Sequence, residues 1–244
     1  MKKHLVSLCL ISTIGLSACG GGGTGPITTI LPSTVLPPFP LQAGFKSFVS
    51  KASCTNYLIS GSCEGTSTEK LTGQSPATFN GVESLSVTKA VTGTFNNCTP
   101  ATFSSSSTTY YDTNYIGLGG LSSTQYGIFE IPPKQFPTSV VFGTAAEYGT
   151  LALFTDSSKI TRIGRNDLSY LIEMDPTAIN SADSAIANLI TKNYNAANQL
   201  LSIEQARYRL SADGTFTPVS RDVQFSTTKT DRLISKATNV TCSP

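Results

Sequence analysis

The segment Ser84-Leu85-Ser86-Val87-Thr88 alternates strictly between polar and branched apolar side chains. Alternation with a period of two places one kind of residue on each face of a β-strand. Short β-branched or aromatic runs bounded by Gly, Pro or Asp-Ser repeat this signal at residues 126–131, 140–142, 151–154, 170–173, 208–210 and 223–225. Many short strands separated by turns predict a mainly β fold, either an antiparallel sandwich or a barrel-like meander.

The segment 183–206 is compatible with two structures. Between Asp183 and Ile203 the apolar residues recur on one helical face, and Asp183 is placed to cap such a helix. Four asparagines in the segment are poor helix formers, and Asn195-Ala196-Ala197-Asn198 lies where a turn would join two strands. The alternatives are a single helix and a β-hairpin, and we favour the hairpin. With a second turn at Ala212-Asp213-Gly214, an antiparallel meander would run from Tyr170 to the C-terminus.

The N-terminus has the three zones of a secretory signal. Lys2 and Lys3 form a cationic flank, Leu5 to Leu16 is mainly apolar, and small residues then lead to Cys19. The apolar run is too short to span a membrane, which needs about 20 residues. The sequence therefore predicts export across a membrane.

The exit from this signal, Leu16-Ser17-Ala18-Cys19, resembles the lipobox of bacterial lipoproteins. The resemblance implies removal of residues 1–18 and attachment of diacylglyceryl and further acyl chains, such as palmitate, to Cys19. Two or three acyl chains hold a protein on a bilayer, whereas one binds only marginally. In that family an acidic residue after the cysteine retains the protein at the inner membrane, so Gly20 implies the outer membrane. The face of that membrane stays open, and ordinary secretion is the alternative.

Residues 19–44 are rich in Gly and Pro. Gly20 to Gly23 is a run of four glycines, and five prolines follow by residue 40. Glycine gives flexibility and proline favours extended polyproline II structure. We predict a tether at 19–44 and a single β-rich domain at 45–244.

Removal of the signal changes the charge and the available chemistry. Seventeen basic residues become fifteen without Lys2 and Lys3, which matches the fifteen acidic residues and argues against nucleic acid as a partner. His4 is the only histidine and is lost as well. The mature chain therefore lacks Ser-His-Asp and Cys-His catalytic sites and His-ligated metal sites. We predict neither a metal nor another cofactor.

Four cysteines remain after the loss of Cys9 and the lipidation of Cys19, namely Cys54, Cys63, Cys98 and Cys242. An even number in an exported protein predicts two disulfides, for which three pairings exist. We favour Cys54–Cys63, closing a short hairpin, with Cys98–Cys242 fastening the C-terminus. A zinc site is the alternative, but no C-x2-C pair is present.

Candidate catalytic groups are scattered. Glu173 and Asp175 are two residues apart and would share a strand face. They are therefore considered as the pair of carboxylates that glycoside hydrolysis requires on either side of the scissile bond. Ser–Lys neighbours occur at 47 and 51 and at 157 and 159, without the accompanying motifs of a Ser–Lys enzyme. The tyrosines at 110, 111 and 115 form either a stacking surface or a strand with aromatic residues on both faces, which we favour.

Three functions are consistent with these observations. The first is a non-catalytic lipid-anchored envelope lipoprotein whose β-domain has a structural or binding role. The second is a surface ligand-binding barrel or sandwich, because surface lipoproteins that capture host factors often have a glycine-rich run after the lipidated cysteine. The third is a histidine-free hydrolase that uses carboxylates or a Ser–Lys pair. The sequence favours a protein without catalytic activity and predicts a membrane partner through Cys19; a protein or small-molecule partner is not identified.

Overall fold

The computed structural model describes residues 38–226 and 231–239 of the 244-residue chain. The predicted signal, Cys19, most of the tether and Cys242 lie outside this range. The described residues form one helix and twelve strands, which in chain order are α1 (Leu41–Ser50), β1 (Ala52–Gly61), β2 (Gly65–Phe79), β3 (Val82–Phe95), β4 (Thr102–Tyr111), β5 (Gly117–Ser122), β6 (Tyr126–Phe129), β7 (Ala145–Phe154), β8 (Arg162–Met174), β9 (Ser184–Asn195), β10 (Leu200–Ser211), β11 (Phe216–Phe225) and β12 (Arg232–Asn239).

The strands form a closed antiparallel barrel in which each strand pairs with the next along the chain. β12 closes the barrel on β1, with Ala237 opposite Tyr57 and Leu233 opposite Gly61. The mainly β fold and the antiparallel meander are therefore confirmed, and of the two predicted architectures the protein forms the barrel. Closure pairs the backbone groups of β1 and β12 and leaves no open sheet edge between them.

The predicted hairpin within residues 183–206 is confirmed as β9 and β10. Their register places Thr191 opposite Glu204. The Asn195 side-chain oxygen accepts hydrogen bonds from the backbone N–H groups of Ala197 and Gln199 at 2.9 and 3.0 Å, and Asn198 has a positive φ of 59°. Asparagine suits such a turn because its side chain mimics a backbone turn and tolerates the left-handed region.

α1 closes one end of the barrel, which we call the helix end. Its apolar side is packed against the barrel interior, where Leu41 is fully buried and Val49 is 4% exposed. A Cβ at Gly44 would lie 2.8 Å from Leu210 Cδ1, so glycine permits the close approach of the helix to β10. Phe39, just before the helix, is 1% exposed and pairs through its backbone with Val140.

This packing corrects the predicted boundary between tether and domain. The sequence predicts that residues 39–44 belong to a tether outside the core, yet Phe39 and Leu41 are among the most buried side chains of the described protein. The prolines around them indicated an extended chain, and the burial of two large apolar residues outweighs that local preference because each contributes about 1.5–3 kcal/mol.

The predicted disulfide pairing is wrong. Cys63 is bonded to Cys98, not to Cys54, so Cys98–Cys242 is excluded too. Cys54 lies near the start of β1 and Cys63 two residues after its end, so the extended strand between them separates them by roughly 30 Å. Cys98 follows β3 at the same end as Cys63, because Gly65 pairs with Phe95. Cys54 is also disulfide-bonded.

No helix in residues 38–226 and 231–239 has the length and apolar character that a membrane crossing requires.

Candidate ligand-binding site

The barrel encloses a cavity of about 480 Å³ between α1 and the opposite end. An eight-stranded barrel is just wide enough for its own side chains to fill, and wider barrels leave space. With twelve strands, α1 fills the helix end and the remainder stays open. The volume lies within the roughly 300–1,000 Å³ of small-molecule pockets. Its apolar lining includes Ile59, Val91, Phe95, Phe103, Leu151, Leu153, Val223 and Leu233.

One wall of the cavity is built from small residues. Ser105, Ser107 and Thr109 of β4 line it, as does Gly120 of β5, which pairs with Thr109. The register of β3 and β4 places Ser105 opposite Val91 and Ser107 opposite Lys89. Because these side chains are short, the wall leaves unfilled the space that leucine or phenylalanine would occupy in a packed core.

Three charged side chains meet inside the barrel. Arg221 of β11 lies 2.7 Å from Glu69 of β2 and 3.1 Å from Glu204 of β10, through its two terminal nitrogens. The carboxylate side chains are 5% and 2% exposed, and the arginine is 18% exposed. Lys89 of β3 also lines the cavity. Buried carboxylates are retained only where such partners compensate for lost hydration.

Burial sets the protonation behaviour of this cluster. Burial raises the pKa of Glu204, while the positive charges of Arg221 and Lys89 oppose the shift. Burial would lower the pKa of Arg221, but Glu69 and the neighbouring tyrosines hold it well above its ordinary value. Burial also raises the pKa of Tyr57 and Tyr208. The guanidinium thus stays charged, and the pKa of Glu204 is raised above its ordinary value.

Several polar atoms around the cavity have no hydrogen-bond partner in the described part of the chain. They are Asn166 Oδ1, Thr191 Oγ1, Glu204 Oε2 and Arg221 Nε, and all four residues line the cavity. Asn166 is 3% exposed, Thr191 is fully buried and Glu204 is 2% exposed. Leaving a buried polar group unpaired costs about 1–3 kcal/mol. A folded protein rarely keeps several such atoms together without a reason.

The predicted carboxylate pair lies elsewhere. Glu173 is outside the cavity lining and pairs with Arg207 at 3.3 Å, and Asp175 pairs with Arg209 at 2.6 Å. Burial raises the pKa of Asp175, but hydrogen bonds from Arg209, Ser184 and Thr177 hold it well below its usual range. Each carboxylate is therefore engaged by its own arginine, which does not fit two acids facing one glycosidic bond.

The other sequence candidates are also separated from the charged cluster. Ser47 and Lys51 line an open groove between α1 and the β10–β11 turn, and Ser157 and Lys159 lie in the exposed loop between β7 and β8. Tyr111 lines the cavity, whereas Tyr110 stacks on Phe79 at 4.6 Å. Tyr110 and Tyr111 end β4, as the interpretation of a strand with aromatic residues on both faces predicts, whereas Tyr115 lies in the connection between β4 and β5.

The sequence analysis missed Glu69, Lys89, Glu204 and Arg221. A signal for the glutamates was present, because Glu69 has the same parity as the buried Leu71 and therefore lies on the same strand face. Glu204 likewise shares its face with the buried Tyr208 and Leu210. A charged residue on the apolar side of a strand marks a polar interior. Residues 38–226 and 231–239 contain no group of three His, Cys, Asp or Glu side chains that could hold a metal ion.

No protein-family model matches the chain, and no curated protein matches it. Among solved structures, the chain is similar to the crystal structure of a DUF1329 family protein from Desulfovibrio piger ATCC 29098, with 11% sequence identity and a TM-score of 0.33. That alignment covers 83% of this chain and 92% of the other. A similarity this distant transfers no ligand and no activity, so function is inferred from the residues of the cavity.

Proposed function

We propose that this protein is a lipid-anchored envelope protein that binds a small amphipathic molecule inside its barrel. The cavity supports the binding role, and the lipobox-like segment ending at Cys19 supports the anchor. The Gly/Pro-rich residues before Phe39 would then link the barrel to the outer membrane.

The observation that carries the proposal is a cavity that is both unfilled and partly polar. Protein interiors are packed as densely as organic crystals, and their few voids are small. Here about 480 Å³ stays open beside four polar atoms that have no hydrogen-bond partner among residues 38–226 and 231–239. A barrel with only a structural role gains nothing from either feature, whereas a ligand would fill the space and pair the polar atoms.

The cavity also offers a direction of entry. α1 and Phe39 close the helix end, while the lining extends to Pro100 after β3 and to Gln125 before β6, at the opposite end. The disulfide between Cys63 and Cys98 joins two connections at that same end. A ligand would enter there and pass the apolar wall before it meets Glu204 and Arg221.

The binding role is tested with N-phenyl-1-naphthylamine, whose fluorescence rises in apolar surroundings. The protein is the mature chain carrying Cys19→Ser, purified without detergent. We expect saturable binding of one probe per chain. Ser107→Phe fills the cavity from β4 and should weaken binding by about tenfold or more. Ser106→Phe, at the neighbouring exposed position, is the matched control and should bind like the parent.

Two outcomes would overturn the binding role. One is the absence of saturable binding to the parent protein. The other is an equal loss of affinity in the Ser106→Phe and Ser107→Phe variants, which would place the probe outside the cavity.

The anchor is tested separately in cells. We expect the native precursor to be cleaved before Cys19 and recovered with membranes, and the Cys19→Ser precursor to be neither processed in this way nor membrane-bound. Protease treatment of intact cells would then report the exposed face. Unchanged processing and membrane binding of Cys19→Ser would contradict the anchor without affecting the cavity.

A further inference from the structure

The four unpaired polar atoms of the cavity lie on four consecutive strands. Thr191 of β9 and Glu204 of β10 are directly opposite each other. Asn166 of β8 is two residues from Leu168, which is the register partner of Thr191. Arg221 of β11 is opposite Ala206, which is two residues from Glu204. The atoms therefore belong to one polar stripe that crosses the wall of the barrel.

The stripe has a definite hydrogen-bonding pattern. Asn166 Oδ1 accepts, as does Glu204 Oε2 in its ionised form, whereas Arg221 Nε only donates and the Thr191 hydroxyl can do either. A complementary ligand group must supply at least two N–H or O–H donors and one acceptor. A methyl ester or a simple ether supplies no donor and would leave the carboxylate and the amide oxygen unpaired.

The charges of the lining further restrict the ligand head groups that the cavity can bind. Within the described residues, the charged side chains that line the cavity are Glu69, Lys89, Glu204 and Arg221, and their formal charges cancel. A ligand carboxylate or phosphate would face two carboxylates, while both terminal nitrogens of Arg221 already bind them. A ligand ammonium group would face Arg221 and Lys89. Because the four side-chain charges sum to zero, either ligand charge would enter a buried site without a net counter-charge to balance it.

We infer that the cavity selects an amphipathic molecule with an uncharged, multiply hydrogen-bonding head group on an apolar tail. A primary carboxamide or a vicinal diol supplies the required donors and acceptor. The head would occupy the stripe from Asn166 to Arg221, and the tail would contact the apolar residues towards the open end. This inference rests on the proposed binding role and specifies the ligand class of the same site.

The test measures displacement of N-phenyl-1-naphthylamine by molecules that share one tail. Dodecanamide and monolauroylglycerol carry uncharged heads, dodecanoate carries a negative charge and dodecylamine a positive one. All are used below their micelle-forming concentrations. We expect the two uncharged competitors to bind about tenfold more tightly than either charged one. Equal affinities, or tighter binding of a charged competitor, would overturn the inference.

A variant then locates the selectivity in the stripe. Thr191→Val keeps the shape of the side chain and removes its hydroxyl. We expect it to lower the preference for dodecanamide over dodecanoate by about tenfold. Thr217→Val makes the same change at an outward position of β11 and should preserve the preference. An unchanged preference in Thr191→Val would place the head group elsewhere.

The two proposals fail in distinguishable ways. If N-phenyl-1-naphthylamine does not bind the parent protein, the binding role itself fails. If it binds saturably and Ser107→Phe blocks it, but the competitors show no selectivity for uncharged heads, only the inferred ligand class fails.

Discussion

The two halves of the barrel interior are stabilised in different ways. At the helix end, Phe39 and Leu41 pack against Leu210 and Ile172 in a continuous apolar core. Beyond it an open cavity is lined by serines, a glycine and an ion-paired cluster, and a smaller apolar cluster around Ile59 and Phe95 lies at the opposite end. Twelve strands enclose more space than their own side chains fill, and the larger apolar core forms in the half that receives the additional segment α1.

Ion pairs inside and outside the barrel differ in their exposure to water. The Glu69–Arg221–Glu204 cluster lies inside the barrel, and both of its carboxylates are almost fully buried. The Glu173–Arg207 pair lies outside the cavity, with side chains about 30% exposed. Water screens the second pair and is largely excluded from the first, so removal of an arginine has unequal consequences.

The largest expected effect is that of Arg221→Met. The change leaves two buried carboxylates without their common partner, and we expect the free energy of unfolding to fall by about 3–5 kcal/mol. Arg207→Met is the matched control and should cost about 0–1 kcal/mol. Urea denaturation monitored by tyrosine fluorescence measures both values. Equal losses would show that the interior cluster is hydrated like the outer pair and would remove the distinction between them.

The next comparison concerns apolar packing in the two halves. Leu210 is fully buried at the helix end, and Leu153 is 8% exposed and lines the cavity. We expect Leu210→Ala to cost about 3–5 kcal/mol because it opens a new void in packed surroundings. Leu153→Ala only enlarges an existing space and should cost about 2 kcal/mol. Similar losses measured by denaturation would indicate that the cavity is closed in solution.

Local pattern predicted the strands but not their closure. Alternation at Ser84–Thr88 lies in β3, and the asparagine-rich turn at residues 195–198 joins β9 to β10 as expected. Pairing of β1 with β12 brings together residues more than 170 positions apart, such as Leu58 and Lys236, for which no local signal exists. The disulfide prediction failed for the same reason, because sequence proximity of Cys54 and Cys63 conceals a full strand between them.

The site was harder to predict than the fold. Glu69 and Glu204 are polar residues within alternating segments, and sequence alone does not say which face of a strand points inward. Their role depends on Arg221, which comes from a third strand. The helix at 41–50 was equally hidden, because its burial depends on the width of the barrel that it closes.

A smaller effect of opposite sign is expected at the polar stripe. Thr191→Val replaces a buried hydroxyl that has no partner in the described part of the chain, and we expect it to stabilise the unliganded protein by about 1 kcal/mol. Thr150→Val is the control, because that hydroxyl donates to Asp167 at 3.1 Å and its loss should destabilise by about 1 kcal/mol. A gain of stability together with the loss of ligand selectivity is typical of residues kept for binding. Destabilisation by Thr191→Val would instead indicate that its hydroxyl is satisfied in the unliganded protein.

The smallest effect is a pH dependence that separates Glu204 from Asp175. The groups around Glu204 are Glu69 of β2, Lys89 of β3, Arg221 of β11 and the tyrosines 57 and 208. Burial raises the pKa of Glu204 in the folded state, so the native protein holds this proton more tightly than the unfolded chain does. Its contribution to stability is therefore complete below the ordinary glutamate pKa of about 4.3 and is lost as pH rises through the raised value.

Glu204→Gln removes this dependence. We expect the stability of the parent protein relative to Glu204→Gln to increase as pH is lowered from about 8 to about 5 in urea denaturation series. Asp175→Asn is the control, because the lowered pKa of Asp175 makes its contribution constant in that range and lost only in stronger acid. If both differences were flat between these pH values, Glu204 would titrate as a hydrated carboxylate, and the cavity would be open to water at the depth of the polar stripe.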